Sequence, residues 1–188
     1  INLILVRDWF LTWSVHFDTD PSWSWVNNPT GANGIKTFSD SHFHLQPDDT
    51  LAKCFYYQTG SVADKAIYLM GQVETNAEGG VRVDDGTDNN YWELYLATES
   101  AGKISVKMRV RTGGGAATTT TLVTGLPSQK WGIFEAHDGG TTVYLYIFRD
   151  NASAISYVGQ FSSISPTGSW RYGIFGLKLD AGNGRGAW

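Results

Sequence analysis

The chain has 188 residues, the length of one ordinary domain. Charged residues make up only 17% of it, aromatic residues make up 14%, and glycine occurs 22 times, a composition that argues against helical bundles, coiled coils and nucleotide-binding α/β folds. A net charge of −4 and the lack of an apolar run of about 18 residues give no support for a nucleic-acid partner or for insertion into a membrane.

Residues 1–10 read as an apolar strand. Its apolar side chains are Ile1, Leu3, Ile4, Leu5, Val6 and Trp9. A small glycan-binding candidate follows, formed by Trp13, Trp23, Trp25 and Asn28. Tryptophan rings stack on the apolar faces of sugars while amides take the hydroxyl groups. The alternative for these tryptophans is packing, because a Trp23/Trp25 pair could cap the core of a sheet.

Alternation of apolar and polar residues predicts strands through most of the remaining chain. It is strongest over residues 66–75, 91–98, 103–112, 130–137 and 141–149, and weaker over 42–45, 51–58, 117–123, 154–161 and 172–179. Glycine-containing turns are predicted between them at 78–80, 85–87, 101–102, 113–115 and 138–140, the last of which closes a hairpin. No amphipathic helix longer than about two turns is predicted. We therefore expect an all-β, antiparallel sandwich of jelly-roll type.

The chemistry of metal sites and modification gives three weaker candidates. Asp84, Asp85 and Asp88 supply oxygen ligands of the kind that calcium prefers, so calcium is a candidate cofactor, although Asp and Gly also favour turns for backbone reasons alone. His42 and His44 share one strand face and could hold a metal, although two surface histidines are the simpler interpretation. Asn151 begins an Asn-Ala-Ser glycosylation sequon.

The order of several motifs resembles the concanavalin A-like, or laminin G-like, jelly-roll family. These are residues 15–20 followed by Trp23 and Trp25, the strand at 38–45, the hairpin at 130–146 and the strand at 174–179. In that family a closing strand of alternating apolar residues follows the strand equivalent to 172–179. Here that place is taken by a polar, glycine-rich tail, whereas residues 1–9 read like the missing strand at the opposite end of the chain.

This displacement leads to a division into residues 1–14, a closing or donated strand, and residues 15–188, a lectin-like sandwich. The first segment could be an ordinary first strand, could close its own sandwich, or could insert into a neighbouring copy, because an unpaired sheet edge tends to be filled. The last arrangement would make other copies of the chain its partners.

The glucanases of this fold carry Glu-x-Asp-x-x-Glu on one strand, and the sequence has no such run. We therefore expect that the chain is not an enzyme but a structural or adhesion subunit, extracellular or on a cell or virion surface. Such a subunit would assemble through its first strand, into a filament where the contacts do not close a ring, and would carry a glycan-binding face. Two alternatives stay open: a stand-alone carbohydrate-binding module or phage fibre domain, and a divergent polysaccharide hydrolase or lyase.

Overall fold

A computed structural model gives the structure of the chain. It describes residues 23–28, 35–39, 42–46, 53–60, 66–73, 76–100, 102–137, 142–149, 155–162, 170–179 and 186–187. The described residues form fourteen strands: β1 (Ser24–Asn28), β2 (Ile35–Ser39), β3 (His42–Gln46), β4 (Lys53–Gly60), β5 (Ala66–Val73), β6 (Ala77–Asp84), β7 (Tyr91–Ser100), β8 (Lys103–Arg111), β9 (Thr118–Pro127), β10 (Trp131–His137), β11 (Thr142–Arg149), β12 (Ser156–Ser162), β13 (Trp170–Lys178) and β14 (Gly186–Ala187).

The strands form two antiparallel sheets of seven strands each. The first sheet has the order β1-β4-β13-β6-β7-β8-β9, and the second has the order β12-β11-β10-β5-β14-β3-β2. The predicted all-β sandwich is confirmed. The described ranges contain no helix, and therefore no helix that is long and apolar enough to cross a membrane.

One hydrophobic core lies between the sheets. Alternation sends Val81, Trp92, Leu94 and Val106 inward from the first sheet, and Ile133 meets them from the second. Cys54 is buried in the same core, as its apolar neighbours in the sequence indicate. Successive residues on each strand therefore face either this core or the outer surface of a sheet, and the outer surfaces carry the candidate sites.

The structure changes the sequence interpretation at Gly79 and Gly80. The prediction places a turn at 78–80, but these residues lie inside β6, which is buried along its whole length. A Cβ on Gly80 would come within 2.2 Å of the carbonyl oxygen of Leu94 on β7. This glycine permits close approach of two strands, a use that local sequence does not distinguish from a turn.

The end of the chain also differs from expectation. Gly186 and Ala187 form β14, which pairs with β5 on one side and with β3 on the other. The glycine-rich tail thus supplies a short strand inside the second sheet, whereas the prediction assigned no strand to it. Residues 1–14 lie outside the described residues, so the exchange of Ile1, Leu3, Ile4, Leu5, Val6 and Trp9 between copies stays a prediction.

Candidate functional site

The outer surface of the first sheet carries a set of charged side chains, which we call the ionic network. Its anions are Glu78, Asp84, Asp88 and Glu93, and its cations are Lys53, Arg82, Arg109, Arg111 and Arg171. All but Asp88 project from β4, β6, β7, β8 and β13, on the opposite face from the core residues of those strands. Charges gather here because each of five neighbouring strands sends every second side chain to this surface.

Glu93 is the centre of the ionic network. It is fully buried, and its carboxylate accepts hydrogen bonds from Lys53 Nζ at 2.6 Å, Arg82 Nη1 at 2.7 Å and Arg109 Nη1 at 2.8 Å. Burial by itself would raise the pKa of Glu93, but the positive charges of these three groups outweigh it and lower the pKa to about 2. Glu93 is therefore an anion throughout the neutral range.

Asp84 and Asp88 each contact two arginines of the ionic network. Asp84 accepts from Arg82 Nε at 2.8 Å and from Arg171 Nε at 2.5 Å, while Asp88 is shared by Arg82 and Arg111. The charges and hydrogen bonds of Glu93 and Asp84 raise the pKa of Arg82 against the opposing effect of burial. The carboxylates of Asp84 on β6 and Glu93 on β7 are thus both bound to the guanidinium of Arg82.

Arg109 joins a second pair of carboxylates. Its Nη1 donates to Glu93, and its Nη2 donates to Glu78 Oε2 at 2.6 Å and to the hydroxyl of Tyr95 at 2.9 Å. Glu78 and Glu93 therefore lie on one face, bridged by one guanidinium. Among the carboxylate pairs of the ionic network that share one guanidinium, this pair consists of two glutamates.

The aspartates that suggest calcium bind different partners. Asp84 and Asp88 contact arginines of the ionic network, whereas Asp85 Oδ1 accepts from the backbone and hydroxyl of Thr87, and its Oδ2 accepts from Asn90. No group of three or more His, Cys, Asp or Glu side chains in the described residues is arranged to hold a metal ion. These contacts favour the turn alternative for 85–87, and the calcium site itself stays a prediction.

The outer surface of the second sheet carries aromatic side chains on β5, β10, β11 and β12. Register places Tyr68 opposite Phe134, Phe134 opposite Tyr146, and Tyr146 opposite Tyr157, across β5, β10, β11 and β12. We call these four residues the aromatic row. Ring centroids of Phe134 and Tyr146 are 5.4 Å apart, and those of Tyr146 and Tyr157 are 5.7 Å apart. With neighbouring strands about 4.8 Å apart, the row spans about 14 Å.

The aromatic row is open to solvent at both ends. Tyr68 is 42% exposed and Tyr157 is 54% exposed, and these are the exposed large hydrophobic residues of the described part of the chain. A β-bulge where β11 meets β12 puts Tyr157 beside Tyr146 on the outer surface, while its neighbour Val158 packs against the core. Without the bulge, alternation from Phe161 would turn Tyr157 inward.

Of the tryptophans that sequence suggested for sugar binding, Trp23 alone has a side chain among the described residues. Trp23 stacks on Tyr56, with ring centroids 5.4 Å apart, and packs against the core, in keeping with the packing alternative. Trp25 and Asn28 lie on β1, opposite Tyr56 and Lys53 in register, and their side chains lie outside the described residues. Trp13 and Asn151 also lie outside them, as do the side chains of His42 and His44 on β3.

Both outer surfaces were missed by motif-based reasoning, although their signals are present in the sequence. Tyr144, Tyr146 and Phe148 alternate with apolar core residues along β11. Arg82 with Asp84, and Tyr91 with Glu93 and Tyr95, alternate in the same way on β6 and β7. Alternation gives the faces of each strand, but only the pairing of distant strands shows that the charges converge.

Comparison with known proteins shows the fold of the chain. No protein-family model matches the chain, and no curated protein matches it in sequence. Solved structures do match: a functionally unknown protein from Saccharomyces cerevisiae, at 11% identity and a TM-score of 0.62, covers 88% of this chain and 91% of its own. A Bacillus licheniformis β-glucanase has 8% identity and a TM-score of 0.62 and covers 91% of both chains. The CBM2 module of an evolved Dit from Lactobacillus casei BL23 phage J-1 has 11% identity and a TM-score of 0.56 and covers 92% of this chain and 90% of its own.

These similarities agree with the expected concanavalin-like sandwich, and they correct the prediction that the chain is not an enzyme. That prediction rests on the missing Glu-x-Asp-x-x-Glu run. A β-glucanase nevertheless shares the architecture over nine-tenths of both chains. A xylan β-1,4-xylosidase from Bacillus halodurans matches 93% of this chain and 36% of its own. The missing motif is therefore no ground for excluding catalysis, and the carboxylates of the ionic network have to be considered as well.

Proposed function

We propose that this chain is a carbohydrate-binding jelly-roll domain whose aromatic row stacks against the sugar rings of an extended glycan. The observation that carries the proposal is the alignment of four aromatic residues across four strands, with Tyr68 and Tyr157 exposed at its ends. Phe134 is buried and Tyr146 is half-buried, so Tyr68 and Tyr157 offer most of the stacking surface. Large exposed hydrophobic side chains that share one surface mark a binding site. Tyrosine offers an apolar ring to a sugar face and a hydroxyl to its polar groups.

The chemistry of the row's edge fits this ligand. Tyr157 donates its hydroxyl hydrogen to Gln160 Oε1 at 3.1 Å, so an amide and a phenol stand together beside the ring. Amides and hydroxyls are the groups that fix the orientation of a bound sugar once its face is stacked. The glucanase and the CBM2 module among the structural neighbours add support for a carbohydrate ligand. Such ligands suit a protein of an extracellular or surface location.

The test is binding to a panel of soluble neutral polysaccharides, measured by affinity electrophoresis and calorimetry. Tyr157→Ala and Tyr68→Ala should each weaken binding roughly tenfold, because each removes a stacking ring. Tyr157→Phe keeps the ring and should lose much less. Arg149→Gln is the matched control. Arg149 is exposed on β11, and its guanidinium lies over the ring of Trp131, outside the aromatic row. Equal affinity in wild type, Tyr157→Ala and Tyr68→Ala would refute the aromatic row as the binding surface.

A second candidate is glycoside hydrolysis at the ionic network. Its basis is the pair Glu78 and Glu93, both hydrogen-bonded to Arg109. Hydrolysis uses one carboxyl as acid and a second carboxylate as nucleophile or base. With its low pKa, Glu93 would have to be the permanent anion, and Glu78 would have to be the acid.

Release of reducing ends from glucans and xylans tests this second candidate. Activity that Glu78→Gln abolishes, with the thermal transition kept, would support it. A wild-type protein that binds a polysaccharide and releases no reducing ends from any of the panel would refute the hydrolysis candidate and leave the binding function standing.

Exchange of residues 1–10 between copies is a separate proposal, and a chain that stays monomeric at high concentration in light scattering would refute it.

A further inference from the structure

The ionic network carries more positive than negative groups. Its five cations, Lys53, Arg82, Arg109, Arg111 and Arg171, face four carboxylates, those of Glu78, Asp84, Asp88 and Glu93. Lys107 lies beside them on the same face of β8 and adds a further positive charge. This excess occurs in a chain whose net charge is −4. The ionic network together with Lys107 is therefore a positive region on an acidic protein.

Most carboxylates of the ionic network are buried more deeply than most of its cations. The side chains of Glu93 and Asp84 are 0% exposed and that of Glu78 is 9% exposed, whereas those of Arg171 and Lys53 are 21% and 19% exposed. Arg82, at 4%, is the exception among the cations, and the half-exposed Asp88, whose carboxylate is already shared by Arg82 and Arg111, is the exception among the carboxylates. A ligand approaching this surface meets mainly guanidinium and ammonium groups, with their counter-ions beneath them.

Arg171 is the cation best placed to accept a further anion. Arg109 and Arg111 use all three guanidinium nitrogens in hydrogen bonds within the described residues. Arg171 donates through Nε to Asp84, its one carboxylate contact among the described residues, and it also hydrogen-bonds the side chain of Tyr57. Its guanidinium lies 5.0 Å from the ring centroid of Tyr57 and 5.7 Å from that of Phe55, so packing fixes its position.

We propose that Arg171 binds the carboxylate or sulfate group of one residue of an acidic saccharide. Lys53, which lies six residues along β4 from the register partner of Arg171, is the second donor and binds an anionic group of another residue of the same saccharide. That the ligand is a saccharide rests on the proposed function, but the site lies on the opposite sheet from the aromatic row. A guanidinium held by one carboxylate and by aromatic faces is preorganised for an anionic oxygen pair. An anion of the ligand would also balance the surplus charge of the ionic network.

Lys53 fits the second role. Its Nζ shares Glu93 with two guanidinium groups and lies 5.2 Å from the ring centroid of Tyr91. Burial lowers the pKa of Lys53, the charge of Glu93 acts against this, and the charges of Arg82 and Arg109 lower it further. An incoming anion would relieve this repulsion between cations, so binding should raise the pKa of Lys53.

The experiment compares oligogalacturonate, a sulfated heparin-derived oligosaccharide and a neutral cello-oligosaccharide of equal length by calorimetry at two salt concentrations. We expect one acidic oligosaccharide to bind at least tenfold more tightly than the neutral one, with affinity that falls as salt increases. The two acidic probes separate a carboxylate ligand from a sulfate ligand. Arg171→Gln should remove this preference, Arg171→Lys should keep part of it, and Arg149→Gln should leave it unchanged.

The outcomes separate this inference from the proposed function. Equal affinity for acidic and neutral probes would overturn the acidic site while leaving the aromatic row intact. Acidic binding that Tyr157→Ala abolishes and Arg171→Gln does not would also overturn it, because the anion would then bind at the other sheet. Acidic binding lost in Arg171→Gln but kept in Tyr157→Ala would support it. If Arg171→Gln fails to fold, the preference and salt dependence of the wild type decide the question.

Discussion

Phe148 on β11 lies directly over Gly132 on β10, so that a Cβ on Gly132 would come within 2.0 Å of the ring. The same ring stacks on Tyr68, with centroids 5.3 Å apart. The missing side chain at position 132 therefore lets an aromatic ring lie flat across the sheet and join the exposed end of the aromatic row. A glycine in a strand interior otherwise weakens the strand.

Gly132→Ala should consequently displace Phe148 and weaken glycan binding while the domain stays folded. The obstacle is a side-chain ring that can rotate away. At Gly80 the obstacle is the backbone of β7, with the carbonyl oxygen of Leu94 2.2 Å from the added Cβ. Gly80→Ala should therefore prevent folding or cost several kcal/mol, roughly the upper range for a point mutation. Thermal denaturation of the two variants, with binding assays on the folded one, makes the comparison.

Glu93→Gln should destabilise the domain by roughly 3–5 kcal/mol, because it removes the anion from three buried or half-buried cations. Glu135→Gln is the matched control. Glu135 is equally buried, but its contacts in the described residues are with Trp92 Nε1 at 3.4 Å and His137 Nε2 at 3.2 Å, and none is with Lys or Arg. Urea denaturation should show a much smaller loss for Glu135→Gln. Similar losses in both variants would contradict the ionic role of Glu93.

Acid should destabilise the wild type through the same residue. The pKa of Glu93 is lowered from 4.5 to about 2 in the folded protein, so its stabilising contribution is complete above about pH 4.5. The contribution is lost as pH falls from about 4.5 toward 2, where the folded state must also take up the proton. Denaturation midpoints measured between pH 7 and pH 2.5 should fall over this window in the wild type. In Glu93→Gln the fall should be smaller, and an unchanged pH profile would disprove the assignment.

Much of the fold could be predicted because strand alternation and glycine turns are local signals. The strands that lie where the sequence pattern predicts them are β3, β4, β5, β7, β8, β9, β10, β11, β12 and β13. The sequence misled at β6, where Gly79 and Gly80 look like a turn, because only the approach of β7 requires the small size of Gly80. The ionic network could not be predicted for the same reason: Arg82, Glu93 and Arg109 converge only through pairing of strands.

Trp23 supports the core in the described contacts, so Trp23→Ala should act on stability. Its ring stacks on Tyr56, and its backbone N–H donates to the Tyr56 hydroxyl at 3.0 Å. Removing the ring should cost roughly 2–4 kcal/mol, somewhat below the usual range for a fully buried tryptophan, since Trp23 is only half-buried. Glycan affinity measured below the new transition temperature should equal that of the wild type. A loss of affinity in a fully folded Trp23→Ala protein would return Trp23 to the binding surface.

Added calcium should leave the thermal stability of the chain unchanged. A ligand that binds only the folded state raises the transition temperature, so a filled calcium site would respond to both calcium and chelator. Asp84 is held by Arg82, Arg171 and the backbone N–H of Gly86, and Asp85 is held by Thr87 and Asn90. A cation at Asp84 would have to displace two guanidinium groups that already neutralise it. Calorimetric scans with millimolar calcium and with EDTA should therefore coincide, and a calcium-dependent rise of several degrees would establish the site that the aspartate-rich sequence suggests.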